Sequence, residues 1–414
     1  MLARASLGPS VSAVSRRSLS MLTMAHEPPG LPASSPAASP FPTATVSALP
    51  NGMTVATTSS SVASSTISLT YPHGSSSGAP GAAAAFKHMA LRSSDQGSSL
   101  AQLRKVEDTG CAVFKSVDRT SITTGVTGSP DAILECLPLL GTKTLHWEPW
   151  DVRDAINAAG LDAANAATDP ASSLEDQIFA AAYGEKTGMG RSMYGKAGEA
   201  DLKHFHSLLS ASGAVLTATN VDHKEFLSLL QGAGDSKGAA AAADKYTGGE
   251  SRIAAISSSA HVALAFPADP ALASAMTALL SLTATSPLTS FRTGPLVGIA
   301  GSADAGTADV MCGALADAVT GALKADADML KRALAKAKAA DAFAYSGSSQ
   351  DVAAALTSAV LGGGAVGEAG VIEAAGKVTA DGLKKAMAAA VAQGASVASV
   401  GEIGKVSYKG DFKF

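Results

Sequence analysis

Aromatic side chains make up only 5% of this chain and charged ones 16%, so its cores must be assembled from small aliphatic groups. There is no block of lysine and arginine and no interleaving of basic with aromatic residues, and the net charge is −4. That composition excludes the electrostatic footprint of a nucleic-acid binder. Cysteine is scarce: Cys111, Cys136 and Cys312 are odd in number, far apart and without a Cys-x-x-Cys pair. A disulfide framework and a thiolate zinc site are thereby excluded, and the three read as buried apolar residues in a reducing compartment. No apolar run approaches the roughly 20 residues of a spanning helix, which predicts a soluble or peripheral chain with no transmembrane segment of its own. Nucleotide and haem motifs are absent. Gly362-Gly-Gly364 is expected to end a helix and Gly141-Thr-Lys-Thr144 to make a turn, since neither has the spacing of a phosphate loop.

What is present divides the chain. Its 414 residues suffice for two domains, each with its own core. Residues 1–25 hold Arg4, Arg16 and Arg17, several serines and no acid, the composition of a mitochondrial transit peptide. Residues 26–44, rich in Pro, Ser and Ala, read as a flexible lead-in. Residues 45–231 alternate strands and helices. Strands are expected at 52–58, 67–71, 112–117, 121–126 and 215–219, and helices at 130–140, 149–165, 173–183 and 202–210. The helix from 173 is expected to open at Ser172-Ser173-Leu-Glu175. Residues 232–252 have the Gly, Ala and Lys content of an interdomain linker. Residues 253–414 read as a shortened copy of the first half, with His261 to Phe266 paralleling the strand at 67–71 and 394–401 paralleling 213–220. Alanine-rich helices are expected at 309–342, 352–361 and 380–392. The fold class expected is α+β, with two similar domains, each a mostly antiparallel sheet with helices packed on one face, joined by a linker.

The chemistry-bearing stretch is 81–92, a buried helix opening after a glycine-rich turn. A helix with His-x-x-Glu-His sets two imidazoles on one face to hold zinc while the glutamate deprotonates a bound water. Here that frame holds Ala84, Lys87 and His88. An ammonium can accept no proton and repels a cation, so the frame cannot work as a zinc site.

The flanking residues carry a resemblance. Gly81-x-Ala83 with Phe86 and His88-Met-Ala90 resembles the zinc helix of the pitrilysin-type (M16) metallopeptidases, the family of the mitochondrial processing peptidase and of the core proteins of respiratory complex III. Further along the chain, Leu49 to Val55, Lys105 to Cys111 with Asp118-Arg119, and Ala182-Tyr183 with Gly190-Arg191 and Gly195 resemble successive family segments. So do Val215 to His223, Tyr246 to Glu250 with Arg252, and the His261 strand. The resemblance covers 45 to about 280. It implies a third zinc ligand on the helix before Ala182, where the register falls on Ala163, Ala164 and Asn165; catalytic residues, metal and cofactor are therefore expected to be none.

Within the family the run Lys245 to Arg252 looks most like the core protein 2 branch. The resemblance then implies a matrix-side structural subunit of the inner membrane. It would be paired with core protein 1 in a dimeric complex that also holds cytochrome b, cytochrome c1, the Rieske iron-sulfur protein and small subunits. Two other readings stand beside it. One is the non-catalytic, presequence-binding subunit of the processing peptidase. The other is a serine hydrolase built on Gly74-Ser-Ser-Ser-Gly78, with Ser76 as nucleophile and Asp162 and His261 as partners. His204 and His206 point about 200° apart on a helix and cannot chelate one ion together.

Overall fold

The computed structural model describes residues 44–60, 62–141, 145–230 and 244–414. The transit peptide expected at 1–25, nearly all of the expected lead-in, Thr142 to Thr144 and most of the expected linker lie outside the described residues.

The alternating runs become strands where one parity is apolar and the other faces a second layer. In the first half these are β1 (Thr45–Ala48), β2 (Thr54–Thr58), β3 (Ser65–Tyr71), β4 (Ala112–Val117), β5 (Ile122–Gly128) and β6 (Val215–Thr219). They form one sheet in the order β1-β2-β6-β3-β5-β4, in which β2 and β6 run parallel and the other neighbours antiparallel. Ile67, Leu69 and Tyr71 of β3 and Leu216 and Ala218 of β6 face a core built with α1 (Ala82–Lys87), α2 (Ser99–Asp108), α3 (Pro130–Cys136), α4 (Pro149–Thr168), α6 (Glu199–Leu208) and α7 (His223–Leu229). Between α4 and α6 lies α5 (Pro170–Tyr183), which opens three residues earlier than expected. Asp169, not the serines, caps it, accepting from the amides of Ala171 and Ser172.

The second half repeats the plan. Strands β7 (Glu250–Ala254), β8 (Ser259–Pro267), β9 (Thr289–Thr293), β10 (Leu296–Asp304) and β11 (Ser396–Gly401) are ordered β7-β11-β8-β10-β9, again with one parallel pair, β11 with β7. Each of these strands matches one of β2, β6, β3, β5 and β4 in place and direction. Helices α8 (Ala273–Thr283), α9 (Ala308–Leu323), α10 (Ala327–Phe343), α11 (Ser349–Leu361), α12 (Gly367–Lys377) and α13 (Ala380–Ala392) complete it. The helix expected over 309–342 is two helices, because Asp326 caps a new start by accepting from the Met329 amide. The stretch 281–294, where no strand is expected, carries β9, which turns through Gly294 at φ 54 into the unforeseen β10. Glu250 to Arg252, expected in the linker, pair with β11 and belong to the second sheet.

The halves exchange a helix. Leu174, Ile178, Phe179 and Ala182 of α5 pack on the face of the second sheet that carries Ala263, Ala265 and Ala398. In return α11 covers the opposite face of the first sheet, where Thr66 Oγ1 meets Ser349 Oγ at 2.9 Å and Thr217 Oγ1 meets Thr357 Oγ1 at 3.3 Å. One exchanged contact is apolar and the other is a ladder of hydroxyls. Each sheet therefore has its own half's helices on one face and a single borrowed helix on the other.

Candidate functional site

The candidate site is the stretch 81–92, and its geometry begins with glycine. Gly81 stands at φ 79, and a Cβ there would lie 2.2 Å from the Gly195 carbonyl oxygen. Only glycine fits this close backbone approach. The alanines that follow have no side chain to hold the helix off its neighbours, so Ala82 to Phe86 are all buried between α4 and α6. Phe86 meets Phe205 with ring centroids 5.5 Å apart. The helix is shorter than expected: it stops at Lys87, His88 caps it, and the chain turns back through Leu91 at φ 62.

Ala84 is buried and offers a methyl where the frame needs a ligand. Lys87 and His88 leave the end of α1 toward α4 and converge on one oxygen. Lys87 Nζ lies 2.6 Å and His88 Nε2 2.9 Å from Asp162 Oδ2. Asp162 extends the buried stripe of Ala155 and Ala159 by one more turn of α4, which is why its carboxylate reaches the end of α1. Burial acts to raise the Asp162 carboxyl's pKa, but hydrogen bonds from Lys87 and His88 outweigh it and hold the group below the usual carboxylate range. Ala163, Ala164 and Asn165 follow Asp162 directly, so an acid stands one residue before the expected register of the third ligand. Its Oδ2 is engaged by an ammonium and an imidazole. Among the described residues no three His, Cys, Asp or Glu side chains are grouped as a metal site.

A second acid on the same helix completes the arrangement. Asp151, 1% exposed, accepts from Arg92 Nη1 at 3.4 Å and from Ser93 Oγ at 2.6 Å. Beneath them, Lys115 of β4 donates from Nζ to the Ala90 carbonyl at 2.8 Å. Its pKa is pushed down to about 8 by burial, then by the charges of Arg92 and Lys87. Next to Lys87 and Asp162 lies an open depression of about 330 Å³ reaching Asn165, Asp169, Ser172 and Tyr194. Burial raises the Tyr194 phenol, and the neighbouring Asp176, Glu175 and Asp162 charges add to the shift. A wider groove of about 600 Å³ lies elsewhere, against α2, with Arg104, Lys105, Asp108 and Glu135 on its walls.

The other sequence-derived candidates are dispersed. Ser76 sits in a 3-10 turn, Ser75–Ser77, whose amides at Ser75 and Ser76 bind the carbonyls of Asp118 and Arg119. A Cβ at Gly74 would collide with that hairpin, 2.2 Å from the Asp118 oxygen, so the glycine serves packing. Of its nominated partners, Asp162 is held by Lys87 and His88, and His261 Nε2 bonds Ser259 Oγ at 3.1 Å on the second sheet. His206 lies against the rings of Phe86 and Trp147, while His204 is exposed. Cys136 and Cys312 are buried, but Cys111 is only half-buried, because it stands at the turn between α2 and β4.

Two charged groups escaped the sequence reading, Asp151 and Lys115, and a third, Arg119, was singled out only as part of a family-like segment. Arg119 is 5% exposed and spans from the β4–β5 turn to the carbonyls of Met189 and Arg191 and the carboxylate of Asp176. Its guanidinium lies 4.2 Å from the centre of the Phe179 ring. The spacing of Asp151 and Asp162, eleven residues or about three helical turns apart, was a usable signal, since it sets both on the face that carries Ala155 and Ala159.

No family model matches the chain, and no curated protein matches it.

Proposed function

We propose that this chain is a non-catalytic scaffold subunit of the pitrilysin type, core protein 2 of mitochondrial respiratory complex III, peripheral on the matrix side of the inner membrane. The observation that carries the reading is the Lys87–Asp162–His88 cluster. Where the peptidase frame requires a metal and a free carboxylate base, this chain has an ammonium, and the one acid nearby, Asp162, has its Oδ2 shared by Lys87 and His88. The ordered set of family-like segments and the duplicated sheet order support it. Among the described residues no helix is long and apolar enough to cross a membrane, which is compatible with a peripheral subunit.

In this role the exchanged helices α5 and α11 fix the two halves as a stiff unit, and a second core chain closes a bowl against it. Such an obligate pair buries more than roughly 2,000 Å². Electron transfer belongs to the complex and its haem and iron-sulfur subunits. The test is zinc content and presequence cleavage by the purified chain and by an Ala84→His, Lys87→Glu double variant. Neither protein is expected to retain stoichiometric zinc or to cleave, because the variant still lacks a glutamate at 163–165. Cleavage by the unmodified chain without a partner would overturn the assignment.

A further inference from the structure

Two of the cysteines stand on different elements, and the fold brings their thiols together. Helix α2 is capped by Thr109, and the chain turns through Gly110 at φ 70 to deliver Cys111 to the start of β4. Opposite, at the end of β5, a Cβ on Gly128 would lie 2.5 Å from Cys111 Sγ, so the missing side chain is the space the sulfur fills. Two residues further on the chain opens α3, whose last residue, Cys136, is fully buried. Two groups meet the Cys136 thiol: the Thr109 hydroxyl, 3.4 Å from Sγ, and the Cys111 thiol, its hydrogen-bonding neighbour. The groove of about 600 Å³ against α2 is lined by Thr109 and by Glu135, the residue before Cys136, which opens a path from solvent to this corner. We propose that Cys111 and Cys136 form a dithiol oxidised by hydrogen peroxide, in which half-buried Cys111 reacts first and Cys136 closes a disulfide.

The order of events follows from burial. Cys111 is partly open to solvent and Cys136 is not. Burial pushes the Cys136 thiol's pKa up, with the Thr109 hydrogen bond acting against it, so Cys136 waits as a thiol. The Cys111 sulfur, as thiolate, attacks one oxygen of the peroxide. An S–O bond forms, the O–O bond breaks, and the departing hydroxide takes up a proton and leaves as water. The resulting sulfenic acid lies beside Cys136, which gives up its proton as its sulfur attacks that of Cys111. The S–S bond forms, the S–O bond breaks, and a second water leaves. The two thiols lose two electrons between them and the peroxide is reduced to two waters. The new bond ties the turn after α2 to the end of α3, one wall of the groove to the other. Cys312, in the core of the second half, serves as the internal control.

The full chain, reduced and desalted, is treated with hydrogen peroxide at neutral pH, its remaining thiols are blocked with iodoacetamide in denaturant, and it is digested without reductant for mass spectrometry. The expected product is a pair of peptides joined through Cys111 and Cys136 and released by dithiothreitol, with Cys312 oxidised about tenfold less or lower still. Cys136→Ser should stop at a Cys111 sulfenic acid that dimedone traps, and Cys111→Ser should slow the oxidation of Cys136 by about tenfold or more. In urea the preference should vanish and the three cysteines pair without selection, which ties the bond to the folded arrangement. No Cys111–Cys136 bond in the folded chain, an equal yield of bonds to Cys312 or between two copies of the chain, or dimedone label on Cys136 in place of Cys111 would overturn the proposal.

Discussion

Replacing Arg119 by Met tests how the first half is bonded to the helix it lends to the second. The methionine keeps most of the apolar stem but removes the fork that holds Met189 and Arg191 by their carbonyls, at 3.1 and 2.6 Å, and Asp176 by its carboxylate. Breaking a buried ion pair by removing one partner costs about 3–5 kcal/mol, and each carbonyl stripped of its donor adds about 1 kcal/mol. Asp176 keeps the Met193 amide at 3.0 Å, which offsets about 1 kcal/mol of this, so the expected loss is about 4–6 kcal/mol. Because Asp176 and Phe179 lie on α5, which packs on the second sheet, the loss should loosen the halves from each other. Urea unfolding followed by tryptophan fluorescence is the assay, since Trp147 and Trp150 both report on the first half. The first-half transition should move to lower urea and separate from the far-ultraviolet dichroism transition. Arg119→Lys, which keeps the charge but not the fork, should lose about half as much. A variant within about 1 kcal/mol of the parent, with coincident transitions, would refute the reasoning.

Three further outcomes are expected. Asp162→Asn should cost no more than about 1 kcal/mol at pH 7, since the triad is partly exposed. The Asp162 pKa is depressed on folding, so its contribution is present above the unfolded value of 3.8 and fades as pH falls through the lower folded value; parent and variant should converge in acid denaturation. For Lys115→Met the sign is opposite. The folded pKa, about 8, lies below the unfolded 10.5, so the native state binds fewer protons between them and the parent's stability should rise over that window, while the variant stays flat and is the more stable at pH 7 by about 1–3 kcal/mol. Gly81→Ala should lower stability by more than about 2 kcal/mol, because it combines a positive φ with a Cβ 2.2 Å from the Gly195 oxygen; an unchanged melting temperature would contradict the placement of α1.

Much of the fold was legible because it is written in local periodicity. The strand at 215–219 and the helix at 380–392 fall where alternation and helical spacing put them. The parallels drawn between 67–71 and the His261 strand, and between 213–220 and 394–401, match the places of β3, β8, β6 and β11 in their sheets. What was not legible depended on partners distant in sequence. Strand β9 was not expected and is held by its hydrogen bonds to β10, and β7 reads as linker until β11 runs beside it. The exchange of α5 and α11 has no local signature, since a stripe such as Leu174, Ile178 and Phe179 says that a face is buried but not against which sheet. At the site, that Ala84 and Lys87 cannot serve as zinc ligand and base is plain in the sequence, whereas the carboxylate that Lys87 and His88 share lies 74 residues beyond His88 and is set by how α4 crosses α1.

The central claim is membership of a respiratory complex as a scaffold. A native gel of a mild-detergent mitochondrial extract tests it most directly, with the chain located by mass spectrometry and the haems of cytochromes b and c1 followed in the same lanes. The account predicts that the chain co-migrates with both haems. Migration away from them, as a pair with a zinc-bearing relative or as a free monomer, would contradict it, the first outcome pointing instead to the presequence-binding subunit of the processing peptidase.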